Sequence, residues 1–374
     1  MKRQGFAHSY IVFVLLIWMA LLSSCAFPTP DLPTPLPATT GTEVEPESNW
    51  LQIYFSDPSA PHSADYEGGP DEILAAAIDQ ARLSVDVAAY NFNLWSIRDA
   101  LIHAHQRGLV VRMVMESDNI DEREVQQIKD TGIPVVGDQH EGLMHNKFIV
   151  LDRMDVWTGS MNYTVGAAYR DNNNLIHIRS AEVAQDYMTE FEEMFTHHLF
   201  GPDAIADTPY PKLIIHATPV EIYFSPDDKV ARRILEILND AQESINFMAY
   251  TITSNDIGNA IVQRSQAGIT VTGVMDEDQV TTGQGSEYDQ FFQSGLNVRL
   301  DGNLNGLMHH KVIIIDAKIV ITGSYNFTAS AEEDNDENVI IIFSPETAKR
   351  YMEEFQRIYE QAQKPETGEP EGNP

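Results

Sequence analysis

Two short stretches of this chain carry residues of the types and spacing that could do chemistry. "GLMHNKFIVLD" places His145 two residues before Lys147, and "GLMHHKVIIID" places His309 two residues before Lys311. In a strand, residues two apart share a face, so each histidine projects with its lysine. Asp152 and Asp316 each follow their lysine by five positions, an odd offset that turns them to the opposite face; they read as supports of a hairpin more than as reacting groups. The next apolar run ends in Gly159-Ser160-Met161-Asn162 in one stretch and Gly323-Ser324-Tyr325-Asn326 in the other. The glycines permit a tight exit, and the serines and asparagines offer neutral hydrogen-bond donors. Facing one another, the two stretches would gather two imidazoles, two ammonium groups and four neutral donors in one pocket. Lysine binds phosphate as a point charge, and neutral donors complete an oxyanion cradle. Two imidazoles can divide the work of nucleophile and general acid. Such a set suits displacement at a phosphodiester. His310 lies between His309 and Lys311 and faces the other way, with Asn146 as its counterpart, so it reads as structural or solvated. His145, Asp152, His309 and Asp316 could instead be taken as metal ligands, but a lysine beside each histidine opposes a bound cation.

These stretches belong to a longer internal repeat. "LQIYFSDP" at Leu51–Pro58 matches "VEIYFSPD" at Val220–Asp227, "SVDVAAYNF" at Ser84–Phe92 matches "SINFMAYTI" at Ser244–Ile252, and "RGLVVRMVME" at Arg107–Glu116 matches "AGITVTGVMD" at Ala267–Asp276. The unit is too long for a solenoid and describes a duplicated domain. Helices are expected at Asp71–Ala81, Trp95–Gln106 and Ala181–His198 in the first copy. In the second they are expected at Lys229–Ala241, Asp256–Ala267 and Pro345–Gln361. Apolar strands alternate with them, which indicates an α/β fold with a parallel or mixed sheet covered on both faces. Residues 201–219 have the composition of a linker. Glu277–Gln290, "EDQVTTGQGSEYDQ", reads as a loop at the C-terminal ends of strands.

The doubled pattern H-x-K-x-x-x-x-D with a following G-S-x-N resembles the phospholipase D superfamily, over nearly the whole span from Leu51 to Gln361. The resemblance implies two homologous α/β domains, residues 50–200 and 220–363, each a mixed β-sheet flanked by helices, packed as an intrachain pseudo-dimer. It implies a catalytic set of His145, Lys147, Asp152, His309, Lys311, Asp316 and Glu337, with Ser160, Asn162, Ser324 and Asn326 at the phosphate. One histidine would form a phosphohistidine while the other protonates the leaving alcohol, with no metal or other cofactor. An acidic residue after the motif often orients the histidine in this superfamily. Glu337 holds that place in the second copy, eleven residues past Asn326, whereas the first copy has Asn173 at that offset and Asp171 nearby. A carboxylate favours the imidazolium. The expectation is therefore that Glu337 backs His309, the acid, and that His145, beside Asn173 or Asp171, is the neutral nucleophile.

The bulk composition bounds the rest. The chain has 374 residues, 43% of them hydrophobic, and a net charge of −32. That is room for two domains with real cores, on a surface that repels polyanions as a whole, so any polyanion site must be a local positive pocket. Lys2 and Arg3 precede the apolar run Ile11–Leu22, and "LSSC" ends at Cys25, the only cysteine. This reads as a signal peptide (residues 1–24) with a bacterial lipobox. The lipidated Cys25 and a Pro/Thr-rich tether fill residues 25–49, and residues 364–374 form a disordered tail. The expectation is a membrane-anchored, extracytoplasmic lipoprotein that needs no obligate protein partner. Its leading expected activity is hydrolysis of phospholipid head-group phosphodiesters. An endonuclease acting on DNA or RNA and a non-catalytic surface binding protein are the alternatives.

Overall fold

A computed structural model describes residues 50–363; the expected signal peptide, lipidation site, tether and tail lie outside them. The first repeat runs β1 (Leu51–Phe55), α1 (Pro70–Gln80), β2 (Ser84–Ala89), α2 (Trp95–Gln106), β3 (Val110–Met115), α3 (Arg123–Asp130) and β4 (Val135–Gly137). It continues with β5 (Lys147–Leu151), β6 (Asp155–Gly159), α4 (Val165–Tyr169), β7 (Asn174–Arg179) and α5 (Ala181–Glu192). The second repeat is preceded by β8 (Lys212–Ile215). It begins β9 (Thr218–Ser225), α6 (Val230–Asp240), β10 (Ser244–Ala249), α7 (Asn255–Gln266), β11 (Thr270–Met275), α8 (Glu277–Thr282), α9 (Tyr288–Gln293) and β12 (Asn297–Leu300). It ends β13 (Lys311–Ile315), β14 (Ile319–Gly323), α10 (Ala329–Glu333), β15 (Glu337–Phe343) and α11 (Pro345–Gln361).

Each repeat builds one mixed sheet. The orders are β1-β7-β6-β5-β2-β3-β4 and β12-β11-β10-β13-β14-β15-β9-β8, so β9 to β12 repeat β1 to β4 and β13 to β15 repeat β5 to β7. β2 and β3 pair in parallel through the crossover helix α2, and β5, β6 and β7 form an antiparallel meander. The segment expected as a linker supplies β8, which pairs with β9 at the sheet edge. The expected loop Glu277–Gln290 is largely helical, because Asp276 caps α8 by accepting the Gln279 N–H. The expected last helix of the first repeat stops its α-helical course at Glu192 and finishes in one wider turn, Glu193–His197.

Burial on both sheet faces explains why the strands read as continuous apolar runs. The outer face of each sheet packs on its own repeat's helices, with Leu74, Ile97 and Leu101 in the first and Ile234, Ile257 and Ile261 in the second. A third core joins the repeats: Phe148, Tyr187 and Phe191 share it with Phe224, Val312, Tyr351 and Phe355. α5 and α11 line this joint core, so duplication supplies each repeat with the apolar partner its inner face requires.

Candidate active site

The two His-Lys pairs stand at the heads of β5 and β13, where the lysines open the strands and the histidines lie just before them. Backbone pairing across the repeats sets their positions. The His145 N–H donates to Asp336 O at 3.0 Å, and the His309 N–H donates to Asn172 O at 2.9 Å. Each pre-strand segment is therefore hydrogen-bonded to the segment entering the last strand of the other repeat.

That crossing overturns the expected support of the histidines. Glu337 Oε2 lies 2.8 Å from His145 Nδ1, and Asn173 Oδ1 lies 2.9 Å from His309 Nδ1. Neither Asn173 nor Asp171 orients His145; Asp171 accepts the Leu307 N–H at 2.9 Å. The correction has a simple cause. Residues 173 and 337 directly follow the residues whose carbonyls hold the opposite histidine, so their side chains reach across rather than back.

Ser160 and Ser324, expected at the phosphate, bind the residues that support the histidines. Ser324 Oγ donates to Glu337 Oε2 at 2.6 Å and Ser160 Oγ donates to Asn173 Oδ1 at 2.9 Å. Both serines are fully buried, and each hydroxyl also accepts a backbone N–H, from Asn338 and Asn174 respectively. They fix the groups that fix the histidines. Asn173 Nδ2 donates to Ala167 O, which leaves Oδ1 as the acceptor and makes His309 Nδ1 the donor. The reacting nitrogen of His309 is then Nε2.

Lys147 Nζ donates to His145 O at 2.8 Å and Lys311 Nζ donates to His309 O at 2.9 Å. The half-buried Asn162 and Asn326 keep amide oxygens without a hydrogen-bond partner. Gly159 and Gly323, at φ of 143° and 150°, pass so close to the next strand that a Cβ would collide with Asn174 O and Asn338 O. Only glycine permits this turn into the donor set.

Asp152 and Asp316, part of the expected catalytic set, lie at the far end of the β5–β6 and β13–β14 hairpins. Each takes a positive φ in the three-residue connection between its strands. The Asp152 carboxylate accepts the N–H groups of Arg82, Leu83 and Ser84, and that of Asp316 accepts those of Gln242, Glu243 and Ser244. They are hairpin supports and touch no reacting group, so the histidine-aspartate metal set is dispersed. His310 is buried and not solvated: Nε2 donates to Glu354 Oε1 at 3.2 Å and Nδ1 accepts from Asn174 Nδ2 at 3.2 Å.

Four residues escaped the sequence reading. The rings of Tyr90 and Tyr250 stand edge-on to His145 and His309, both at 4.7 Å. Lys147 Nζ lies 5.1 Å from the Tyr90 centroid and Lys311 Nζ 4.7 Å from that of Tyr250. Glu116 and Asp276 accept the N–H groups of Met144 and Met308, anchoring each chain just before its histidine. The signal was present: both pairs occupy equivalent places in the repeated strands.

Burial dominates the electrostatics. It holds both imidazoles well below the ordinary histidine range, helped by the charges of Lys147 and Lys311, and it lowers Lys147 to about 7. Burial pushes Glu337 up to about 8 against the opposing pull of Lys147. A pocket this rich in desolvated donors is short of one thing, an anion. Bound phosphate would restore the lysines' charge and raise the imidazoles.

Comparison with known proteins follows the same lines. The chain matches the family described as "Cardiolipin synthase, PLD-like domain" over residues 74–195 and 234–359, one match per repeat. It is 34% identical over 128 residues to a mitochondrial cardiolipin hydrolase of Chlamydomonas reinhardtii, covering 34% of this chain and 56% of that protein. It is 32% identical over 157 residues to a phospholipase D of Rickettsia bellii, covering 40% of this chain and 77% of that protein. The chain thus spans little more than half the length of the cardiolipin hydrolases it matches. A phosphatidylserine synthase of Haemophilus influenzae shares the two-repeat fold, with a TM-score of 0.62 at 16% identity, covering 84% of this chain and 87% of that one.

Proposed function

The chain belongs to the phospholipase D-like family of phosphodiesterases, and from that premise we propose that it hydrolyses phospholipid head-group phosphodiesters through a phosphohistidine. The observation that carries the mechanism is the crossed support of two His-Lys pairs, one by a carboxylate and one by an amide.

His145 is the nucleophile. Its Nδ1–H faces Glu337, leaving the Nε2 lone pair to attack phosphorus. As the N–P bond forms, the ring becomes cationic, and Glu337 is placed to balance that charge. The P–O bond to the head group breaks, and the leaving oxygen takes the Nε2 proton of His309. Asn173 holds the His309 ring through Nδ1–H in either protonation state. Substrate phosphate keeps His309 cationic before the transfer. Water then attacks phosphorus, returns its proton to His309 Nε2, and releases His145 with its lone pair. Lys147, Lys311, Asn162 and Asn326 hold the non-bridging oxygens throughout. The nucleophile is the histidine expected from sequence, but for the opposite reason: its carboxylate partner stabilises the intermediate.

A lipid substrate is supported by the names of the relatives and by the net charge of −32, which disfavours nucleic acid outside the pocket. The test is a substrate panel of phosphatidylcholine, an anionic phospholipid, single-stranded DNA and an aryl phosphodiester, with the wild type and His145→Ala. Head-group release that the substitution abolishes is the expected result. Turnover of DNA and of the aryl diester without phospholipid would replace this reading with a nuclease.

A further inference from the structure

The loops that lead into the two histidines differ in character. Asp138, His140 and Glu141 precede His145, whereas Asn303, Leu304 and Asn305 precede His309. Leu304 is 82% exposed, the most exposed large apolar side chain among the described residues. Its neighbour Asn303 donates through Nδ2 to Arg170 O at 2.7 Å. The exposed Arg170 guanidinium donates to Tyr66 Oη at 2.6 Å and lies 5.7 Å from that ring's centroid. Tyr66 in turn meets Trp95, itself 42% exposed, edge to face at 5.9 Å. A chain of contacts thus runs from Asn303, next to Leu304 in the chain, through Arg170 and Tyr66 to Trp95.

This strip borders the pocket. The Asn172 N–H donates to Leu307 O at 2.7 Å, and Asn172 O holds the His309 N–H. At the other end, Trp95 begins α2, five residues after Tyr90, which stands beside His145.

We propose that Leu304, Arg170, Tyr66 and Trp95 form the rim by which the enzyme meets a phospholipid–water interface. The proposal rests on the phospholipid reading above. Tryptophan and tyrosine settle at such interfaces because each has an apolar body and a polar tip, and arginine extends to the head groups from an apolar stem. Leu304 supplies the group that enters the acyl boundary. Its exposure to water is unfavourable unless something apolar covers it. The overall charge adds a condition. A chain at −32 is repelled by an anionic surface, and one arginine does not reverse that, so the rim is suited to a zwitterionic interface.

The experiment uses the full chain and short-chain phosphatidylcholine below and above the concentration at which it forms micelles, with a water-soluble aryl phosphodiester as control. The wild type is expected to accelerate when micelles form. Leu304→Ser and Trp95→Ala should each lose about fivefold to tenfold of the micellar rate, the scale of one partly buried apolar side chain, and keep full activity on the aryl diester and monomeric lipid. Equal micellar rates in wild type and both variants would overturn the rim while leaving the phospholipid reading intact. No phosphatidylcholine turnover by wild type, with the aryl diester still cleaved, would remove the phospholipid reading and the rim with it. Slower cleavage of single-stranded DNA by Trp95→Ala, with micellar rates unchanged, would assign the strip to base stacking and overturn the proposal.

Discussion

Glu337 and His145 sit in opposite repeats, yet their Oε2 and Nδ1 are 2.8 Å apart. The half of the pocket that carries the carboxylate is therefore not the half it serves. Chemical quenching during turnover should trap the phosphatidyl group on His145 and none on His309. Glu337→Gln should lower kcat about 10²- to 10³-fold, the scale of one lost transition-state electrostatic contact, and reduce the trapped phosphoenzyme. Label on His309 alone would reverse the roles of the two repeats.

The pH dependence of kcat/KM follows from the same pair. Attack requires the Glu337–His145 pair to give up its extra proton, and burial pushes Glu337 up to about 8. Phosphate binding requires charged lysine, and burial lowers Lys147 to about 7. The rate should rise with pH as the Glu337–His145 pair ionises and fall as Lys147 loses its charge, and His309, held well below its ordinary value in the free protein, should deepen the alkaline fall. In Glu337→Gln the acid limb should move to lower pH, because the remaining group, His145, is held well below its ordinary value. An unmoved acid limb would assign it to another group.

Lys147 is 1% exposed and its charge opposes folding. The unfolded chain binds the lysine proton more tightly between about 7 and 10.5, so this residue makes stability rise with pH across that window. Lys147→Met should raise stability at pH 7 by about 1–3 kcal/mol, read as a higher Tm, while activity falls at least about 10³-fold. A lower Tm would show that the ammonium is well compensated.

The Tyr90 and Tyr250 rings are placed to share that burden, since a ring within about 6 Å attracts an ammonium by about 0.5–2 kcal/mol. Tyr250→Phe keeps the ring and should retain activity. Tyr250→Leu should lose about tenfold in phosphate affinity. Identical losses in both variants would point to the hydroxyl instead.

Asp316 sits at the hairpin turn and accepts three backbone N–H groups, the shortest at 2.7 Å. Against partial burial, these donors hold its carboxyl below the usual range. Asp316→Ala should cost about 1–3 kcal/mol and leave kcat on the folded protein unchanged. That stabilisation is present above the unfolded carboxylate pKa and is lost as pH falls through the folded one. A fall in kcat at unchanged stability would return Asp316 to the chemistry.

Much of this architecture is local and therefore legible in the sequence. The two-residue spacing brings His145 with Lys147 and His309 with Lys311 to the heads of β5 and β13. The odd offset sends Asp152 and Asp316 elsewhere, and duplication doubles the sheet. Apolar runs mark strands buried on both faces, and α2 and α11 fall within the bounds their patterns give. What lay beyond the sequence is which side chain of one copy reaches which histidine of the other. Glu337 and Asn173 stand at one offset from their own motifs, and that offset is the same whether a side chain turns to its own histidine or to the other. The choice is made by the backbone pairing of His145 with Asp336 and His309 with Asn172, which exists only once the joint core around Phe148, Tyr187, Val312 and Tyr351 has brought the repeats together. The sequence determined which residue types stand at the heads of the two strands and at what spacing; the interface decided which histidine has the carboxylate, because hydrogen bonds reach about 3 Å and only packing brings distant residues that close.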